Sequence, residues 1–483
     1  MAFNPTDEQQ NILDLIPTQG AMPVHELIKV DSCAGSGKTS LLVAIAEKNK
    51  PKNGLYLAYN KSIAIESQTK FSSNIHCKTT HALAYANIIV PLKLKVGFFN
   101  YKSIKDHIKY EEKLIIIDLV NKFSLSKFIS FQDFTEDYKK DNKEIQENYF
   151  TLAKKYFNLM ASGKINITHA AYLKMYHLFL QSGKTTHKPF DMIMLDEAGD
   201  INPVTLEIFK LLPSPLKIMV GDNRQNIYLF NGTINGFKAL KNDGIEMHMT
   251  KTFRCDPSIA TKIEKFCQKH MDPSMGFVGT DQNLSDIKTQ GYIARNNSTL
   301  IGRMIELNQM NIPYNLTRPA KTMFELINIL MYIKPYGKVH SEQYKYIQEE
   351  YNDWYEDGDL RSIYQSFRKY LSAEFDDDVN LMSAVGILQN NTYEDIKSAY
   401  EYALAHEKEK SHSVTLGTAH SMKGMEMDSI TIAPDFKRVF DKITSKKEPS
   451  EYNDHDIQEL NLLYVAFSRS LKRLLGAEWA FKD

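Results

Sequence analysis

Residues 27–50 read LIKVDSCAGSGKTSLLVAIAEKNK, and their order decides the fold. LIKVD is a short β-prone run, SCAGSGKTS is rich in glycine and hydroxyl residues, and LLVAIAEKNK has helical apolar spacing, so the stretch predicts strand, phosphate loop, helix. SCAGSGKT carries the GK[ST] ending of a P-loop, with Ser32 where the consensus has its first glycine. Gly35 and Gly37 let backbone N–H groups close around phosphates, Lys38 reaches the outer phosphates, and Thr39 offers a hydroxyl to Mg²⁺. The expected nucleotide contacts here are Ser32, Cys33, Ala34, Gly35, Ser36, Gly37, Lys38, Thr39 and Ser40. A second SGKT, at residues 182–185, has neither a glycine-rich lead-in nor a preceding strand and reads as a loop coincidence.

Working outward, GLYLAY, DMIMLDE and LKIMVGD are further strand candidates separated by helical stretches, the alternation of a parallel α/β sheet. DMIMLDE ends on Asp196 and Glu197. A lone Asp-Glu pair reads as a polar strand end, but beside a P-loop the first carboxylate suits Mg²⁺ and the second can polarise the attacking water. Between residues 86 and 186 the pattern turns helical and lysine-rich (YKSIKDHIKYEEK, DYKKDNKEIQEN), which predicts a helical insertion. A second α/β pattern starts near Asp256 and returns in VTLGTAHSMKG and SITIAPDF, around a second insertion rich in Tyr, Glu and Asp. Phosphoryl transfer also needs donors for the charge developing on the γ-phosphate, and Arg254 and Arg469 are candidates.

Composition narrows the class. The 483 residues allow about three or four folded units. Lys plus Arg equals Asp plus Glu at 59 each, so any nucleic-acid site must be a local patch rather than a bulk charge effect. Cys33, Cys77, Cys255 and Cys267 show no zinc or disulfide spacing, which fits a reducing compartment. The start MAFNPTDEQQ lacks a signal pattern, and the apolar stretch at residues 323–333 is short and contains Glu325, so a soluble, cytoplasmic, non-membrane protein is expected.

In order, TDEQQ, SCAGSGKT, AYNKSIA, KTTHALAY, LDEAGD, VGDNRQNIYLFNG, KTFRC, IARNN, TAHSMKGME and ELNLLYVAFSR resemble the UvrD/Rep branch of superfamily 1 helicases, most closely the F-box DNA helicase type. The resemblance implies two RecA-like α/β motor domains, each with a mainly helical insertion. The first is expected over residues 1–85 and 187–255, interrupted by 86–186. The second is expected over 256–318 and 411–483, interrupted by 319–410. It further implies that Gln9 reads adenine, Phe253 stacks on it, Gln225 senses the γ-phosphate, Gly424 and Glu426 lie at the nucleotide with Glu426 on the ribose, and Arg254 and Arg469 act as arginine fingers. For DNA it implies Tyr59, Asn60, Lys61, Thr80, His81, Tyr228, Phe230, Arg295, Asn296, Thr418, His420, Ser421 and Lys423.

The implied activity is ATP- and Mg²⁺-dependent 3′-to-5′ movement along single-stranded DNA with unwinding of tailed or forked duplex, by a monomer in a bacterial or phage-infected cell that works with replication or recombination proteins. Two alternatives are a translocase that displaces bound proteins with weak unwinding, and a nucleotide-gated DNA-binding protein without turnover. The joint presence of Lys38, Glu197, Gln225, Arg254 and Arg469 argues against the second. Three departures stand out. Gly199 replaces a glutamine usual in DExQD and so removes an expected polar link, Asn231 replaces an arginine, and the 319–410 segment is short beside the corresponding subdomain of UvrD. No stretch resembles an F-box, a nuclease or a zinc module, so the motor is expected to fill nearly the whole chain.

Overall fold

The computed structural model describes residues 3–229, 232–336, 384, 386–388, 390–407, 413–445 and 448–482. The chain forms two compact units, Met1–Thr250 and Lys251–Asp483. Each is α/β and built on a parallel sheet.

In the first unit the strands are β1 (Leu27–Ser32), β2 (Gly54–Ala58), β3 (Ile75–Thr79), β4 (Met192–Leu195), β5 (Lys217–Gly221) and β6 (Ile245–Met249), in the spatial order β3-β2-β4-β5-β1-β6. Every pairing between them is parallel. Both faces of β1, β2, β4 and β5 are buried, so these strands read as largely apolar runs, whereas the edge strands β3 and β6 carry exposed polar residues. The two-residue period still sorts the side chains. Tyr56, Met192, Met194, Ile218 and Val220 join one core with Leu41, Leu42 and Ile45 of the helix Lys38–Asn49, whereas Leu55, Leu57, Ile193, Leu195 and Met219 face the other.

That second core is shared with the helices Tyr110–Leu125, Phe131–Tyr138, Glu147–Ala161 and His169–Gln181, whose Phe123, Phe150, Phe157 and Tyr176 are buried in it. The helices inserted between β3 and β4 therefore cover one face of the sheet. The second SGKT sits in the turn after the helix His169–Gln181, with Gly183 in the left-handed region and no strand before it.

In the second unit, β7 (Gln290–Ala294), β8 (Asn315–Leu316), β9 (Val414–Thr418), β10 (Met427–Ile432) and β11 (Ser470–Leu475) pair in the order β11-β10-β7-β9-β8, all parallel. The break between units follows β6, and residues 251–255 bind the second unit. Lys251 bridges Val278, Thr252 N donates to Val278 O (2.8 Å), and Thr280 N donates to Cys255 O (3.0 Å). Much of the 319–410 segment, Phe230 and Asn231 lie outside the described residues. Among the described residues no helix is long and apolar enough to cross a membrane.

Candidate active site

The phosphate loop leaves the carboxyl end of β1, a position where parallel sheets place their ligands. Gly35 and Gly37 have φ of 76° and 81°, left-handed values that a side chain would strain, so glycine is what lets the loop close. Ser32 replaces a consensus glycine without opening the loop, because its buried hydroxyl donates to Gly221 O of β5 at 2.7 Å. The helix Lys38–Asn49 begins with no side-chain cap, so its first N–H groups are left for an anion. The Ser36 hydroxyl is buried with no hydrogen-bond partner among the described residues, an orphan that a phosphate oxygen would satisfy. These observations fit a nucleotide phosphate group.

Asp196 lies just past the end of β4. Its Oδ2 accepts from the Tyr56 hydroxyl at 2.6 Å and its Oδ1 from the Glu197 N–H at 2.9 Å. Burial pushes its carboxyl up to about 6, reinforced by the Glu197 charge and opposed by Tyr56 and by Lys38. Burial and the Asp196 charge likewise hold the Tyr56 phenol well above its usual range, so the shared proton stays on the tyrosine. A buried carboxylate within electrostatic reach of the phosphate-loop Lys38 is a hard oxygen ligand suited to Mg²⁺, which would neutralise the charge that disfavours ionised Asp196. Glu197 has φ 54°, a strained conformation for a residue with a Cβ, and such strain concentrates at functional sites.

Gln225 follows β5. Its Nε2 donates to Asp222 Oδ2 at 3.0 Å, and Asp222 is itself buried. Gly199 approaches this loop so closely that a Cβ there would meet Asp222 O at 2.2 Å. Its glycine thus has a steric reason, and a glutamine could not stand there without moving the backbone. Gln9 is buried in the helix Asp7–Asp14, with Oε1 accepting from Thr6 N (3.0 Å) and Nε2 donating to Ser36 O of the phosphate loop (3.2 Å).

The remaining nucleotide candidates lie in the second unit. Phe253 is 45% exposed, with the Lys251 ammonium 5.6 Å from its ring centre, a face free enough to stack on a base. Arg254 donates through Nε to Glu426 Oε2 (2.7 Å) and through NH1 to Ser468 O (3.2 Å), bringing two candidates together. Gly424 adopts φ 88° two residues before Glu426. Arg469 is only 2% exposed; Nε donates to Val465 O (2.9 Å) and NH2 to Ser468 Oγ (2.9 Å). Contact with a γ-phosphate requires releasing part of that network.

Residues 17–244 match the UvrD/REP helicase N-terminal domain. The chain is 25% identical to F-box DNA helicase protein 1 of Schizosaccharomyces pombe over 97% of its own length and 57% of that protein's. It is 25% identical to F-box DNA helicase 1 of Gallus gallus over 98% of its length and 49% of that protein's. It is 27% identical to a probable DNA helicase II homolog of Mycoplasma genitalium over 62% of its length and 51% of that protein's. The likeness is thus to UvrD-like helicases, by the family model over residues 17–244 and by the F-box DNA helicases over most of the chain. It spans about half the length of the curated relatives it matches.

The UvrD-like resemblance also nominated DNA contacts, and the fold uses several of them locally. Tyr59 is exposed, and burial of its hydroxyl end with the charges of Asp200, Tyr228 and Glu197 raises its phenol, which puts those four groups in one neighbourhood. Asn60 caps the helix Lys61–Lys70 by accepting from Ile63 N at 2.9 Å, while Lys61 is exposed. Thr80 is buried, and the His81 ring stands edge-on to His169 and Tyr172 (6.1 and 5.7 Å between centroids). Burial, with His169 second, lowers His81 to about 4. Arg295 makes a two-point ion pair with Glu459 (2.8 and 2.7 Å), and Asn296 caps the helix Asn297–Gln309. Thr418 caps the helix Ala419–Met422, and Ser421 Oγ lies 2.7 Å from Thr317 Oγ1. His420 and Lys423 are half-buried. Asn60 and Asn296 thus commit their side-chain oxygens to helix caps.

Sequence reasoning missed Tyr56, Asp31, Asp222 and Arg224. The signal was present for two of them. Asp31 is an acid at the end of the strand LIKVDS, directly before the phosphate loop, and Arg224 is a charge set within the short segment joining LKIMVGD to Gln225.

Proposed function

We propose that this UvrD-like chain is an ATP-dependent DNA helicase that moves 3′ to 5′ along single-stranded DNA. The observation that carries the reading is the union, in one unit, of an uncapped phosphate-loop helix, a buried Asp196 beside Lys38, and a strained Glu197 next to it. Thr39 and Asp196 would hold Mg²⁺, which supplies Lewis-acid neutralisation of the phosphates. Lys38 and the loop N–H groups bind and orient the nucleotide. Glu197 orients the attacking water and accepts its proton, and Gln225 reads the γ-phosphate. The resemblance gives Arg254 and Arg469 the role of supplying charge to the transferred group, so that hydrolysis alternates with grip on DNA. Exposed Tyr59 offers a stacking face for a base.

The test is ATP hydrolysis with and without single-stranded DNA, together with unwinding of 3′-tailed, 5′-tailed and blunt duplexes. Stimulation by DNA and dependence on a 3′ tail are expected. DNA-independent turnover sinks the coupling, and dependence on a 5′ tail overturns the polarity.

A further inference from the structure

Asp31, the residue immediately before the phosphate loop, receives a two-point ion pair from Arg224: NH1 donates to Oδ2 at 3.1 Å and NH2 to Oδ1 at 3.0 Å. The same arginine donates through Nε to Asp222 Oδ1 at 2.9 Å, and the other Asp222 oxygen holds the Gln225 amide. The Asn223 N–H donates to Asp31 Oδ1 as well (3.1 Å). Asp31, Asp222, Arg224 and Gln225 are all buried. Their strands, β1 and β5, are already registered side by side, Asp31 opposite Gly221. Ladder bonds fix the backbones but leave the rotamer of Gln225 undetermined. The chain of side-chain bonds removes that freedom, because a planar guanidinium with three donors engaged fixes both carboxylates at once.

We infer that Arg224 is a positioning residue that ties the strand entering the phosphate loop to Gln225, so that loop and γ-phosphate sensor keep one geometry through the nucleotide cycle. This rests on the reading of Gln225 given above. Lysine at 224 keeps the charge but cannot make both the two-point pair and the Nε bond. Displacing a reacting contact by about an ångström costs on the order of 100-fold.

The experiment compares Arg224→Lys, Gln225→Ala and the double variant in the full chain, measuring DNA-stimulated kcat, KM for ATP, and affinities for ADP and a non-hydrolysable ATP analogue. Arg224→Lys should lower kcat by roughly 10- to 100-fold with ADP affinity kept. It should also erase most of the preference for the triphosphate analogue over ADP, a ratio that general loosening of the fold would not move. The double variant should be little worse than Gln225→Ala alone, since both remove the same contact. Asp31→Asn with Arg224→Gln keeps the local net charge but takes the Nε donor from buried Asp222, so it should fold with a lowered melting temperature and show the same kinetic loss. Normal kcat and analogue preference in Arg224→Lys, or fully additive losses in the double variant, overturn the positioning role while leaving Gln225 as sensor. Normal turnover in Gln225→Ala removes the sensor reading, and the positioning role with it.

Discussion

Gly199→Ala is the smallest substitution that separates a steric reading of this position from a missing polar link. The added Cβ would lie 2.2 Å from Asp222 O and 2.9 Å from Asp222 C, both backbone atoms, so no side-chain rotation relieves the contact. The loop cannot swing aside freely, because the neighbouring Ala198 N donates to Val220 O (2.9 Å) and its O accepts from Gly236 N (2.9 Å). Overpacking of this kind costs about 1–3 kcal/mol. For a unit of this size that is a melting decrease of roughly 2–4 °C per kcal/mol. The displaced neighbours are Glu197 and the Asp222 carboxylate that holds Gln225, so turnover should fall further than stability alone explains. Gly302→Ala is the control. It lies inside the helix Asn297–Gln309, where among the described residues only Ile387 Cδ1 comes near, at 3.4 Å, and there alanine should hold or raise the melting temperature. Differential scanning calorimetry and DNA-stimulated ATPase on both variants decide the matter. A Gly199→Ala protein that melts and turns over like the native one refutes the steric argument, and a more active Gly199→Gln would restore the missing-link reading.

Lys38→Ala should abolish hydrolysis together with nucleotide affinity, whereas Glu197→Gln should bind ATP and not turn it over; equilibrium binding beside ATPase distinguishes them, and a folded Glu197→Gln that fails to bind nucleotide removes its assignment to the water. Arg469→Lys should cut turnover strongly, on the order of 10³-fold for a finger, with ADP affinity kept. Because Arg469 is buried on Val465 O and Ser468 Oγ, the same variant should also melt earlier, and loss of stability without loss of turnover would make it a structural arginine. Burial holds His81, His177 and His270 each at about 4, so the folded state resists protons that the unfolded chain accepts near 6.5. Their contribution is intact above pH 6.5 and is lost as pH falls toward 4. Melting temperature should therefore drop across that window, and a flat profile, or one unchanged by His270→Gln, contradicts the assignment.

The sequence alone determined the chemistry-bearing local units. SCAGSGKT reads as a phosphate turn into a helix because a β-prone run precedes its glycines and helical apolar spacing follows, a setting that the second SGKT lacks. DMIMLDE, GLYLAY and LKIMVGD are apolar runs of strand length, and they became β4, β2 and β5. IHCKT and IEMHM, which became β3 and β6, carry polar residues on exposed positions and escaped the apolar-run criterion. The strand order β3-β2-β4-β5-β1-β6 was not legible, since crossover connections are set by tertiary packing and not by spacing along the chain. Gly199 looked like a lost function in sequence. Only the folded backbone shows it to be a close approach to Asp222. Tyr56 on Asp196 and Arg224 on Asp31 span separations of 140 and 193 residues, and no local rule of periodicity or capping can pair groups that far apart. What each residue can do is written in its own chemistry, and which partner it meets is decided when the sheet brings distant strand ends together.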